Sequence, residues 1–331
     1  MPTPKKAYKQ TLDEHRARVL RVTQKQGLRG LKRLYEESLR DLEKKLKGLP
    51  GGMKDSFTSH QYRIAKAQLR QGLRLITQRL SGAIGDLNKT AQTEALRGLI
   101  RDISQLEKIY TGADVVLPVE EAGKFRGVLR GVDKSLMRVH KDTMARLGAR
   151  IVGKIEDQMS ISLAIGEDLG GMIDRVMKTG DVQWYQAERI ARTESIASFN
   201  LTQARGIEES SEALPDMMVR WVEYVDDESL KPLDARVSLD SIAMHGQVTS
   251  PGGVFTFPRT RPRKVPSTLR RYKWPGGAMG VETWGEVVSR FGGQQWASPP
   301  NRPNDRSSVQ PWRPGWGIPA WRLVNGRVVQ L

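Results

Sequence analysis

The sequence predicts an α+β chain: a long, mainly helical N-terminal arm followed by a compact C-terminal module of helices and short antiparallel strands. Two observations predict it. Leucines recur at helical spacing through the first 110 residues, and β-formers and turn residues take over beyond Pro215.

From about Lys5 to Leu49 the residues Leu28, Leu31, Tyr35, Leu42, Leu46 and Leu49 keep one helical face apolar, and Pro50-Gly51-Gly52 stops the run. In a second stretch Leu69, Leu73, Ile76, Leu80, Ala83 and Leu87 alternate steps of four and three, the repeat of a coiled-coil seam. Leu96, Leu99, Ile103, Leu106 and Tyr110 resume that rhythm after a polar interval, so long paired helices are expected. Pro118 with Glu120 and Glu121 marks a new helix start, acids being favoured in a first turn, and Phe125, Leu129, Val132 and Leu136 supply its apolar stripe.

Gly166, Gly170, Gly171 and Gly180 are expected to break the next section into short helices before a helix from about Val182 to Gly206. Met218 to Val225 is rich in β-formers, and Pro251-Gly252-Gly253, Pro275-Gly276-Gly277 and Gly292-Gly293 punctuate the later runs. Asn325-Gly326 between two apolar runs predicts a type I′ hairpin. The expected division is a basic helical arm over residues 1–115 and a module over 116–331.

At 331 residues the chain has room for two domains. With 38% hydrophobic and 6% aromatic residues it falls below the globular average, and part of it is expected to be extended or dependent on assembly. Lys and Arg outnumber Asp and Glu by 16 in residues 1–150, fall 9 short in 151–250, and exceed them by 10 in 251–331. Basic regions of this strength imply a polyanion or an acidic protein surface as partner. A membrane fits less well, since no apolar run approaches the roughly 20 residues of a spanning helix, and no apolar stretch of a secretory signal comes after MPTPKKAYKQ. The absence of cysteine excludes disulfides, thiolate metal sites and thiol nucleophiles.

Within Glu188 to Ser195, Glu194 falls on a stripe of small residues formed by Ala187, Ala191, Ala197, Leu201 and Ala204. A carboxylate there must be paired, because an isolated buried charge costs several kcal/mol. It reads either as an active-site acid or, as we favour, as a Glu held by Arg189, Arg192 or a backbone donor to lock neighbouring helices. His15, His60 and His140 read as surface decoration. His245 stands near Asp226, Asp227, Asp234 and Asp240, a set a metal phosphodiesterase could use, with carboxylates on a cation and His as base. The spacing matches no metal motif, so a histidine capping the turn before Gly246 is the preferred reading. No phosphate-binding Gly-Lys-Ser/Thr loop, His-Glu-x-x-His, Gly-x-Ser-x-Gly or Glu-x-Glu pair occurs. Trp274, Trp284, Trp296, Trp312, Trp316 and Trp321 crowd the last third, where packing is preferred over base stacking.

The segment AERIARTESIASFNLTQARG resembles the Arg-Thr-Glu helix of the phage Mu F-like head morphogenesis proteins. Downstream, RWVEYVDDESLKPLDARVSLDSIAMHGQV is similar to that family's Trp, Asp and His/Gly-Gln succession. Phe255 to Pro258 and Pro299 to Arg306 resemble its closing motifs, so the resemblance spans about residues 155–315. It assigns a structural motif role to Arg192, Thr193, Glu194, Trp221, Asp227, Arg236, His245, Gly246, Pro300 and Arg306. Relatives often close the module with a His-Pro-Xaa-Cys-Arg-Cys segment, which here reads Arg302-Pro303-Asn304-Asp305-Arg306-Ser307, and Ser238 and Ser241 stand at the upstream Cys or His positions. Ion pairs of Arg302 or Arg306 with Asp226, Asp227 or Asp234 are expected to replace a metal.

The resemblance implies a structural minor head protein; with the catalytic signatures and the closing cysteines missing, no catalytic residue, metal or cofactor is expected. Its implied partners are the portal protein, major capsid or scaffold proteins, and double-stranded DNA. It implies residence inside the capsid near the portal vertex, and the host cytoplasm during assembly. Arg16, Arg18, Arg21, Lys25, Arg29, Lys32 and Arg33 are the candidate contacts to DNA or portal. The competing readings are the phosphodiesterase centred on His245 and a coiled-coil oligomerisation or scaffolding device.

Overall fold

A computed structural model describes residues 4–24, 27–227, 229–233, 237–273, 278–297, 299 and 307–331. The chain is α+β. Its helices in order are α1 (Pro4–Gln24), α2 (Gly27–Lys47), α3 (Ser59–Tyr110), α4 (Ala122–Ala164) and α5 (Leu169–Ser210), then strand β1 (Met218–Val222) and the short α6 (Leu239–Met244). After these come β2 (Val248–Thr249), β3 (Phe255–Thr256), β4 (Thr268–Lys273), β5 (Ala278–Thr283), α7 (Trp284–Phe291), β6 (Gln295–Trp296), β7 (Ser308–Trp312), β8 (Trp321–Val324) and β9 (Arg327–Gln330).

Packing groups the chain differently from the division expected at residue 115. One compact unit consists of residues 1–22, 90–132 and 196–331, and the other of 23–89 and 133–195. The helices α3, α4 and α5 each contribute to both. The long helix α3 carries its apolar seam straight through the polar interval at 88–95, because Ala91 and Ala95 continue the buried face there.

In the first unit, α1 does not stand apart. Tyr8 and Leu12 share a core with Leu96, Leu99, Ile103 and Leu106 of α3, with Trp221 of β1 and with Trp312 of β7. The strands form a three-stranded antiparallel sheet in the order β2-β1-β7, and separate antiparallel pairs β3-β6, β4-β5 and β8-β9. In β1 the register sets Arg220 opposite Gln310 and Trp221 opposite Val309. The predicted hairpin at Asn325-Gly326 joins β8 to β9, with both residues at positive φ, 51° and 74°, as a type I′ turn requires. Trp312, Trp316 and Trp321 are buried core residues. Trp221 meets Phe255 edge to face at 5.1 Å. Trp274 lies outside the described residues.

The second unit is helical. Leu28, Leu31, Tyr35, Leu39, Leu42 and Leu46 of α2 pack on Leu69, Leu73, Ile76 and Leu80 of α3, and on Ile151, Ile155, Met159, Ile173 and Val176 of α4 and α5. The chain turns between α4 and α5 at Gly166, whose φ of +68° favours glycine. The other three glycines of that cluster do not break the helix: α5 runs without interruption through Gly170, Gly171 and Gly180. At Gly180 the reason is close packing. A Cβ there would stand 2.9 Å from a Leu39 methyl, and the Gly180 carbonyl accepts a 2.7 Å hydrogen bond from the Tyr35 hydroxyl.

Gly206 on α5 plays the same part in the first unit. A Cβ would lie 2.4 Å from Leu99 Cδ2 and 2.7 Å from Leu96 Cδ1, both in fully buried side chains. Replacing a helical glycine gains at most about 1 kcal/mol of propensity, whereas overpacking a core costs about 1–3 kcal/mol. A Gly206→Val variant is therefore expected to lose stability by about 1–3 kcal/mol in urea denaturation, with an unchanged m-value.

Candidate functional site

The motif residues of β1 and of the segments after it converge on one buried ionic clasp in the first unit. Asp227 is its centre. His245 Nε2 lies 2.7 Å from Asp227 Oδ1, the Tyr8 hydroxyl donates to Oδ2 at 2.8 Å, and Arg16 and Arg220 each approach the carboxylate at 3.5 Å. Arg220 also donates to the Tyr8 hydroxyl at 2.9 Å and to the Pro319 carbonyl at 3.1 Å. Arg16 donates to the Glu223 and Val225 carbonyls. The clasp thus sews α1 to β1 and to the chain beyond it.

The tautomer of His245 is set by its partners. Its Nδ1 accepts the Glu223 backbone N–H at 3.1 Å, so Nε2 carries the proton and donates to Asp227. Burial pushes the imidazole below its ordinary pKa, against the pull of Asp227. Burial alone would raise the Asp227 carboxyl, but Arg220, His245 and Arg16 outweigh it and hold the group well below the usual carboxylate range. Burial raises the Tyr8 phenol. The clasp is therefore a carboxylate facing two guanidiniums, with a neutral histidine and a neutral tyrosine as donors.

Gly246 sits beside it at φ +81°. Its N–H bonds to the Trp221 carbonyl at 2.9 Å, its carbonyl accepts from Trp321 N–H at 3.0 Å, and the Trp321 indole donates to the His245 carbonyl at 2.8 Å. The Trp221 indole donates to Glu223 at 2.6 Å, and Ser307 donates to the same carboxylate oxygen. Gln247 exchanges two hydrogen bonds with Thr256, fastening β2 to β3.

The Arg-Thr-Glu helix is α5. Arg192 pairs with Glu188 at 2.6 Å, and the Thr193 hydroxyl donates to the Arg189 carbonyl one turn back. Glu194 is not held by Arg189 or Arg192, as the sequence led us to expect. Arg192 points to the preceding turn, and the partner of Glu194 is His140 of α4, 2.5 Å away, with Asn88 of α3 at 3.4 Å. Hydrogen bonding of the imidazole to Glu194 raises the His140 pKa, and partial burial opposes it.

Several other expectations are corrected. Arg16 and Arg18 are buried and cannot face an external polyanion: Arg16 belongs to the clasp, and Arg18 pairs with the fully buried Asp102. His15 is no surface residue either, being fully buried and bonded to Ser308 at 2.8 Å. Burial pushes its pKa well down, while Asp102 is pushed up to about 7 by burial, against the pull of Arg18. Arg21, Arg29, Lys32 and Arg33 are exposed, as is His60. Lys25, Arg236, Pro300, Arg302 and Arg306 lie outside the described residues, as does Asp234.

Asn200 on α5 was not foreseen. It donates to the carbonyls of Pro299 and Ser307 at 3.0 and 2.9 Å and accepts from Val309 N–H at 3.2 Å, so one side chain holds both flanks of the closing motif. A lone Asn in a helix carries no sequence signal for such a task. Tyr8 and Arg220 were missed because their significance depends on long-range contacts.

Among the described residues no group of three or more His, Cys, Asp or Glu is placed to hold a metal ion. No described helix is long and apolar enough to cross a membrane. No family model, curated protein or solved structure matches the chain.

Removing one partner of a buried ion pair costs about 3–5 kcal/mol. Asp227→Ala is expected to lower the unfolding free energy by about that amount. The sign of its pH dependence is that of a depressed folded pKa: the contribution is present above the unfolded carboxyl value of about 3.9 and fades as pH falls through the folded one. The stability difference between wild type and variant, measured by chemical denaturation, should therefore shrink below about pH 4.

Proposed function

We propose that the chain is a structural minor head protein of the Mu F-like type, acting in phage head morphogenesis by binding the portal protein and packaged double-stranded DNA. The resemblance of about residues 155–315 to that family is the starting point. The observation that carries the structural reading is the use made of the shared motif residues. Trp221, Asp227, His245 and Gly246 bond to one another or to their immediate neighbours inside one unit, and none of the four is exposed.

The phosphodiesterase reading finds less support in the same geometry. Both His245 nitrogens are committed, one to a backbone N–H and one to Asp227, and among the described residues no group of carboxylates stands there to share a cation. A buried, fully bonded His–Asp pair between two arginines is what a fold-holding contact requires.

The polyanion partner rests on the exposed cations of α2. Arg29, Lys32, Arg33 and Arg40 line an open surface cleft together with Glu36 and Glu37, while the apolar side of the same helix is buried. Lys44, Lys45 and Lys47 extend the positive face to the helix end. A cationic face of this kind fits phosphates or an acidic portal surface. In the head it would lie within the capsid near the portal vertex, reached from the host cytoplasm during assembly alongside capsid or scaffold proteins.

Two measurements test this. Six to ten phosphate contacts predict that affinity for a DNA duplex falls about 10³- to 10⁵-fold between about 50 and 200 mM salt. Charge reversal of Arg29, Lys32 and Arg33 together should reduce the log–log salt slope by about three. A flat salt dependence would remove DNA from the partners. Failure of the full chain to co-purify with portal protein would overturn the head-protein reading itself.

A further inference from the structure

We propose that Ser81, His140 and Glu194 form a nucleophilic relay in the helical unit, which activates the Ser81 hydroxyl to accept an acyl group from small activated esters. The site is independent of the clasp and does not rest on the head-protein reading.

Three helices supply one residue each: Ser81 from α3, His140 from α4 and Glu194 from α5. The Ser81 Oγ lies 2.9 Å from His140 Nε2, and His140 Nδ1 lies 2.5 Å from Glu194 Oε2. An ionised Glu194 can only accept, so Nδ1 carries the proton. In the neutral imidazole Nε2 is then the acceptor and Ser81 the donor. That is the order of nucleophile, base and orienting carboxylate by which such relays are recognised, whatever the fold. Asn88 bonds to the same Glu194 oxygen at 3.4 Å and is itself approached by Ser195 at 3.4 Å, which helps fix the carboxylate.

The relay is partly open to solvent: His140 and Glu194 are 17% and 13% exposed, and Gly82, next to Ser81 in α3, is exposed.

In the reaction, Ser81 Oγ bonds to the ester carbonyl carbon as its proton passes to His140 Nε2. The bond to the leaving oxygen then breaks and that oxygen takes the proton. The alcohol departs, and water then attacks the acyl-Ser81 in the same way, releasing the acid and restoring the serine. Amides inside a long helix are committed to carbonyls one turn back, so α3 offers no backbone oxyanion hole at Ser81. The substrate class is accordingly an ester with a good leaving group, and turnover is slow.

The test uses the full chain and p-nitrophenyl acetate, with acetylation located by mass spectrometry. Ser81 should be labelled selectively, and His140→Gln should slow labelling by about 100-fold or more, the usual worth of a general base. Labelling should rise with pH through a value above 6.5, since Glu194 is the charged group facing the imidazole. Glu194→Gln should move that inflection down towards about 6.5, the ordinary imidazole value, a shift that a purely packing role would not produce. Because the chain has no cysteine, Ser81→Cys provides one defined thiol, and its iodoacetamide alkylation should slow on adding His140→Gln. Labelling of Ser81 no faster than that of exposed serines, or thiol alkylation indifferent to His140, would overturn the proposal.

Discussion

Burying the Asp227 carboxylate is the constraint on which the first unit depends. An isolated charge in that position would be strongly unfavourable. The chain meets it with groups distant in sequence: Tyr8 and Arg16 from α1, Arg220 from β1 and His245 from the end of α6. Each neutralises or hydrogen-bonds the carboxylate. The clasp therefore specifies where α1 lies along β1 as much as it stabilises the contact. Replacement of such a network by apolar residues can be neutral in energy, so its value lies in fixing one arrangement.

The surrounding hydrogen bonds extend the same logic to the closing segment. Glu223, close to the clasp in sequence, gathers the Trp221 indole and the Ser307 hydroxyl, while its backbone N–H sets the His245 tautomer. Asn200 then grips the chain on both flanks of residues 300–306. Arg-Thr-Glu, Trp, His-Gly and the closing Pro-rich segment are far apart in the sequence. Trp221, His245 and Ser307 share a single bonded neighbourhood through Glu223, whereas Glu194 works in the other unit with His140. A run of motifs along one chain thus serves two packing tasks.

Charge is divided by the same geometry. A basic residue near the N-terminus can face solvent or neutralise a buried acid, and sequence position does not say which. Arg16 and Arg18 are used inside, on Asp227 and Asp102, whereas Arg29, Lys32 and Arg33 lie on the outer face of α2. Exposed cations that could meet a polyanion thus include one face of α2, whereas Arg16 and Arg18 of α1 are withdrawn from that role.

What the sequence determined by itself is the local periodic order. The seam from Leu69 to Leu80, the helix restart near Pro118, the strand at Met218 and the Asn325-Gly326 hairpin were all legible, because each rests on spacing or on the φ/ψ preference of one or two residues. The tertiary structure decided which glycines end a helix and which only admit a neighbour: Gly166 turns the chain, while Gly180 and Gly206 make room for leucines. It also decided that α1 joins the C-terminal strands, that His15 is buried while the half-buried His140 is paired with Glu194, and which partners answer Asp227 and Asp102. Those pairings join residues far apart in the chain, often on different helices or strands. No local pattern encodes them, since the energy that selects them appears only when the partners are brought together out of water.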